Sequence, residues 1–153
     1  MEIFIQIKDY KSTRLCLIIG NASADVNSST IFLDNILGSI KNLGCDIHLI
    51  NFIQVRDQIA KKDIAVGSIR DHIGDMILDD IKNANNKKPF ELVLSFLDAN
   101  IVSPKFFIEI QKTIFTVNFT CNYHQFDDLH REIAPHIGLN TYVNFPHKKK
   151  YED

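Results

Sequence analysis

Five short apolar runs, each separated from the next by a helical stretch, constrain this chain more than any other feature. "RLCLIIG" (Arg14–Gly20) is continuous in apolar residues and ends in glycine, as a strand buried on both faces does. "DIHLINF" (Asp46–Phe52), "FELVLSFLD" (Phe90–Asp98), "IFTVNFT" (Ile114–Thr120) and "LNTYVNF" (Leu139–Phe145) follow. Between the first two, Phe32, Ile36, Ile40 and Leu43 share one helical face, with Ser28, Ser29 or Thr30 able to cap its start and Gly44 placed to end it. Val66, Ile69, Ile73, Ile77 and Ile81 mark a longer helix over about Ile64 to Asn85. Ser103-Pro104 opens another, carrying Phe107, Ile110 and Ile114, and Phe126 to Ala134 gives a short one capped by Asp127 and stopped by Pro135.

Strands alternating with helices form βαβ units. The expectation is therefore an α/β, Rossmann-like parallel sheet of about five strands, with helices on both faces in three layers. At 153 residues the chain suits one domain. Residues 14–145 form that domain, residues 1–13 are a lead-in or edge strand containing "EIFIQI", and residues 146–153 are a polar tail.

Charge and cysteines narrow the function classes. A net charge of -2 gives no electrostatic footprint for nucleic acid, and Lys148-Lys149-Lys150 reads as part of a solvated tail. No apolar run reaches the ~20 residues of a membrane span. The opening "MEIFIQIKDYK" has no basic start, so it does not read as a secretion signal. Cys16, Cys45 and Cys121 are odd in number and widely spaced, which argues against a disulfide framework and for a cytoplasmic setting. The Asn-, Ile- and Lys-leaning composition points to an AT-rich prokaryotic genome. Asn118 matches a glycosylation triplet but sits inside a buried strand, where no glycan fits.

In open parallel sheets, ligands bind at the carboxyl ends of the strands near the point where strand order reverses. Four loops are selected: Gly20 to Ser29, Ile53 to Asp57, Asp98 to Ser103, and Cys121 to Phe126. The first has one glycine, without the spacing of a dinucleotide or Walker A loop, so Asn21 and Ser23 are candidates for direct ligand contact while an ordinary capping loop remains the alternative. Asp98 and Asn100 are placed to hydrogen-bond hydroxyls, or simply to make a turn. Asn122, Tyr123, His124 and Gln125 stand at the end of a core strand, either as a ligand site or as a polar loop. Cys121 with His124 is a weak nucleophile pattern, and the spacing of His124, His130 and His136 does not suit zinc. Asp127 and Asp128 fit a helix start better than a catalytic pair. His72 and His130 read as surface residues. No metal and no cofactor is expected, and no residue is assigned a catalytic role.

Three passages carry a resemblance. "KPFELVLSFLDANIVSPKFFIEIQK" (Lys88–Lys112) is similar to the strand, loop and Pro-started helix of CgeB-like glycosyltransferases, the group that includes spore-maturation proteins. "IFTVNFTCNYHQFDDLHREIAPHIGLNTYV" resembles the strand, polar loop and short helix that come next, and "IKNLGCDIHLINF" (Ile40–Phe52) resembles the entry to their second strand. The likeness spans roughly Arg14 to Phe145. It implies the acceptor-side N-terminal domain of a GT-B type enzyme, which transfers sugar from a nucleotide sugar to an acceptor hydroxyl. The donor would be held by a second domain without which this chain is inactive. Asn122, Tyr123, His124 and Gln125 would then line the cleft. Two departures stand out: the first loop is not glycine-rich, and the acid expected directly after the fourth strand is displaced to Asp127 or Asp128. The competing expectation is a stand-alone, non-catalytic Rossmann- or flavodoxin-like binding or regulatory domain, or a module that docks a partner through exposed Phe and Ile.

Overall fold

A computed structural model describes residues 10–20, 32–61, 68–98, 100–120 and 127–142. A 3-10 turn (Tyr10–Ser12) leads into β1 (Arg14–Ile19). A π-helical stretch, Phe32–Leu37, continues as α1 (Gly38–Asn42) and is followed by β2 (Asp46–Asn51), α2 (Phe52–Ala60) and α3 (Ile69–Lys87). β3 (Leu92–Ser95), α4 (Pro104–Ile110), β4 (Thr116–Thr120), α5 (Asp127–Ile133), a 3-10 turn (Ala134–His136) and β5 (Leu139–Tyr142) complete the order.

The five strands form one sheet in the order β2-β1-β3-β4-β5, and every neighbouring pair is parallel. Parallel strands demand crossovers, and right-handed crossovers place a helix by the direction in which the chain moves across the sheet. The step from β1 to β2 runs one way and the later steps run the other. α1 accordingly packs on one face, where Leu37, Ile36 and Ile40 meet Leu15, Leu17 and Ile19. The remaining helices share the opposite face, where Ile59 of α2, Ile73, Ile77 and Ile81 of α3, Phe106, Phe107 and Ile110 of α4, and Ile133 of α5 meet Cys16, Ile18, Ile50 and Val93. The result is the expected Rossmann-like, three-layer α/β domain.

Particular residues set these elements. α3 buries isoleucines four residues apart, which lines one stripe of the helix against the sheet. Pro104 occupies the first turn of α4, where its missing N–H costs nothing. Gly44 ends α1 with φ +81, a left-handed backbone that a side chain disfavours, and its N–H bonds the carbonyl of Lys41.

Several boundaries differ from expectation. The third strand pairs over Leu92–Ser95, so Phe90 and Leu97 extend beyond it as buried anchors. Ile114 was expected on α4, but the helix stops at Ile110 and Ile114 is buried beyond its end. The stretch Ile53 to Asp57 is not a loop. It lies in α2, which starts immediately after β2. The run "EIFIQI" and residues 146–153 lie outside the described residues.

Candidate ligand site at the carboxyl edge of the sheet

Strand order reverses at β1, which has β2 on one side and β3 on the other. α1 follows β1 on one face and α4 follows β3 on the other, so the carboxyl edge between β1 and β3 is the expected ligand position. At the β1 side stands Gly20, which is buried. A Cβ added there would come within 2.6 Å of the Phe52 ring and 3.3 Å of Ile53. The glycine is thus explained by the close approach of α2, independently of any phosphate. Asn51 makes that approach possible, because its side chain accepts a hydrogen bond from the Ile53 N–H at 3.1 Å and caps α2 as β2 ends. The legible signal was the spacing of Phe52, Val55 and Ile59, which turn one apolar face to the core.

The β3 side is built more elaborately. The Phe96 N–H bonds the Ile18 carbonyl and carries the ladder past the end of β3. Asn118, fully buried on β4, then takes hold of Leu97 by both backbone groups. Its Oδ1 accepts from the Leu97 N–H at 3.0 Å, and its Nδ2 donates to the Leu97 carbonyl at 3.0 Å. The same Oδ1 accepts from Ser95 Oγ at 2.6 Å, and Nδ2 lies 3.5 Å from Asn140 Oδ1. Ser95 is also fully buried, and with Asn140 the three form a polar row across β3, β4 and β5 on the helix-rich face.

Beyond Leu97 the chain turns, with the Ile101 N–H bonded to the Asp98 carbonyl at 2.9 Å, and Val102 is fully buried. Arg70, from the first turn of α3, donates to the Val102 carbonyl from Nε at 3.3 Å and from Nη2 at 3.1 Å. Its Nη1 lies 3.8 Å from the Glu132 carboxylate on α5. Ser103 Oγ donates to the Asp71 carboxylate, and Lys105 pairs with Asp75 at 2.8 Å. The hydrogen bond it donates to the Asp75 carboxylate holds the Lys105 ammonium above its ordinary value.

Of the sequence-selected residues, this loop carries Asp98, half-buried, and Asn100, exposed, on the carboxyl edge. Asn21, Ser23, Asn122, Tyr123, His124 and Gln125 lie outside the described residues, as does Cys121. His72 is exposed, its Nδ1 2.8 Å from the Ser68 carbonyl oxygen, and Asp128 is exposed on α5. Sequence reasoning passed over Arg70 and Asp71 and treated Asn118 only as a strand residue. The available signal was the polarity of Ser95 and Asn118 inside otherwise apolar runs.

The amino edge is also polar, but its groups close on one another. Arg14 lies 3.5 Å from Asp46, donates to the Ala84 carbonyl at 3.3 Å and stacks over the Phe90 ring at 4.4 Å. Lys88 bonds Asp46 at 2.5 Å, and that hydrogen bond holds the carboxyl below the usual aspartate value. His48 lies 3.1 Å from Asp80. A shallow hollow lined by Ile108, Gln111, Lys112, Pro135 and His136 is on this edge too, away from the switch point.

Among the described residues no cluster of His, Cys, Asp and Glu is placed to hold a metal ion, and no helix is long and apolar enough to cross a membrane. No known protein family matches the chain, and no curated protein or solved structure is significantly similar to it.

Proposed function

We propose that the chain is the acceptor-side domain of a GT-B type, CgeB-like glycosyltransferase, binding a hydroxyl-rich acceptor at the carboxyl edge of its sheet. The supporting observation is the β3–α4 loop, which presents Asp98 and Asn100 beside the switch point within the very segment that carries the resemblance. A carboxylate accepts hydrogen bonds from sugar hydroxyls and a carboxamide both accepts and donates, so the pair suits a polyol. Transfer would form a bond from the acceptor oxygen to the sugar's anomeric carbon as the bond to the diphosphate breaks and the hydroxyl proton is released. Orientation of the acceptor is this domain's share of that chemistry. Stabilising the leaving diphosphate belongs to a second, donor-binding domain.

Titration calorimetry with methyl α-glucoside, methyl β-N-acetylglucosaminide and UDP-glucose tests the reading. It predicts heat of binding for at least one glycoside and none for the nucleotide sugar. Binding of UDP-glucose without either glycoside would sink it.

A second reading is favoured by one observation, the strand order itself. The sequence β2-β1-β3-β4-β5 is also that of flavodoxin-like binding and regulatory domains. In that reading the same edge binds a ligand without chemistry. A flavin absorbance band in the purified protein would favour it over the transferase reading.

A further inference from the structure

The loop between β3 and α4 has an unusual support. A chain leaving a strand ordinarily satisfies its backbone groups with water or with its own turn. Here side chains from two other elements do so. Asn118, reaching from β4, pairs with Leu97 as an additional strand residue would. Arg70, reaching from α3, places two N–H groups on the Val102 carbonyl, and the next residue along α3, Asp71, accepts from Ser103. Val102, fully buried between those fastenings, fixes the depth of the loop. Asp98 and Asn100 lie between the two fixed ends.

Such an arrangement is costly to build. Asn118 and Ser95 are polar groups in a sheet interior, and leaving either unpartnered would be destabilising. Apolar residues at both positions would make a simpler core. The outlay is intelligible if the loop must hold one shape before its ligand arrives, because ordering a loop on binding subtracts from affinity.

We propose that Arg70 and Asn118 are positioning residues that hold the described ends of the β3–α4 loop, at Leu97 and at Val102, in a single, preformed conformation for ligand. The inference rests on the carboxyl edge being the binding edge, and its test separates the two. Amide hydrogen exchange on the full chain without ligand reads the loop directly. The Leu97 N–H is held by Asn118 and the Ile101 N–H by the turn, while Val93 in the sheet and Ile77 in α3 serve as controls.

In Arg70→Gln the Ile101 amide should exchange at least about tenfold faster, with the controls changing less than about twofold. Arg70→Lys, which restores a cationic donor, should recover part of the protection. Asn118→Leu, which removes both hydrogen bonds to Leu97 at similar volume, should raise Leu97 exchange by a larger factor than that of the controls. Unchanged loop exchange in Arg70→Gln overturns the proposal. So does an equal rise at loop and control amides, which would make Arg70 merely structural. Selective loosening supports it even where wild-type protein binds no glycoside, and in that case the acceptor reading alone fails.

Discussion

The two edges of the sheet use polar side chains in opposite ways. At the amino edge, Arg14 and Lys88 share the Asp46 carboxylate beside the Phe90 ring, and Arg14 also donates to the Ala84 carbonyl. At the carboxyl edge, Asn118 and Arg70 spend their hydrogen bonds on the backbone of a loop. Ion pairs that close on themselves fasten strand ends and leave little for a ligand to use. Side chains that satisfy a loop's backbone fix its path and leave its own side chains on the rim. Under the proposed function, stability belongs to one edge and recognition to the other.

Five changes test this contrast. Asn118→Ala should have the largest effect at neutral pH, because it strands both backbone groups of Leu97 in a buried site and leaves the Ser95 hydroxyl only its 3.4 Å bond to the Val117 carbonyl; a loss of about 3 kcal/mol in urea denaturation is expected. Gly20→Ala should cost about 2 kcal/mol by overpacking the ring of Phe52. A glycine kept for a phosphate would show little change in the same measurement. Arg14→Met should cost about 1 kcal/mol, since the apolar stem still covers Phe90 while the bond to the Ala84 carbonyl is lost. The Leu97 and Ile101 amides should keep their protection in that variant, and faster exchange there would erase the division between the edges.

Two further effects lie at the extremes of pH. Burial, followed by the nearby Asp80 carboxylate, pushes the Cys16 thiol up to about 12 from 9.0. The folded state therefore retains a proton that the unfolded chain releases. Its contribution is complete below about 9 and is lost as pH rises towards 12. Cys16→Ala should flatten that alkaline limb of the stability profile. Asp46 behaves in the opposite sense. Its folded carboxyl titrates below 3.8, so its contribution is present above that value and fades as pH falls through the depressed one. Asp46→Asn should remove that small acid-side component, read from urea midpoints at successive pH values.

The parallel sheet was legible because period and composition act locally. Runs such as Leu15–Ile19 announce a strand buried on both faces, and Ile73, Ile77 and Ile81 announce a helix stripe. α2 was missed because Asn51 ends one element and caps the next with no intervening turn residues, so a strand-to-helix change looked like a strand running into a loop. Asp98 and Asn100 could be placed on the correct edge because the edge follows from topology. Their supports could not. Arg70 and Val102 are 32 residues apart, and Asn118 and Leu97 are 21 apart. Pairings of that range are set by sheet register and helix packing, which leave no local trace in the sequence.

Chemical-shift mapping of the ¹⁵N-labelled chain with methyl α-glucoside and methyl β-N-acetylglucosaminide in turn tests the proposal of recognition at the carboxyl edge most directly, one of the two sufficing. The account predicts that the amides of Asp98, Asn100 and Ile101 move in a saturable way while those of Arg14, Asp46 and Phe90 stay in place. Saturable shifts at the amino edge, or no shift in the β3–α4 loop with either glycoside, would contradict it.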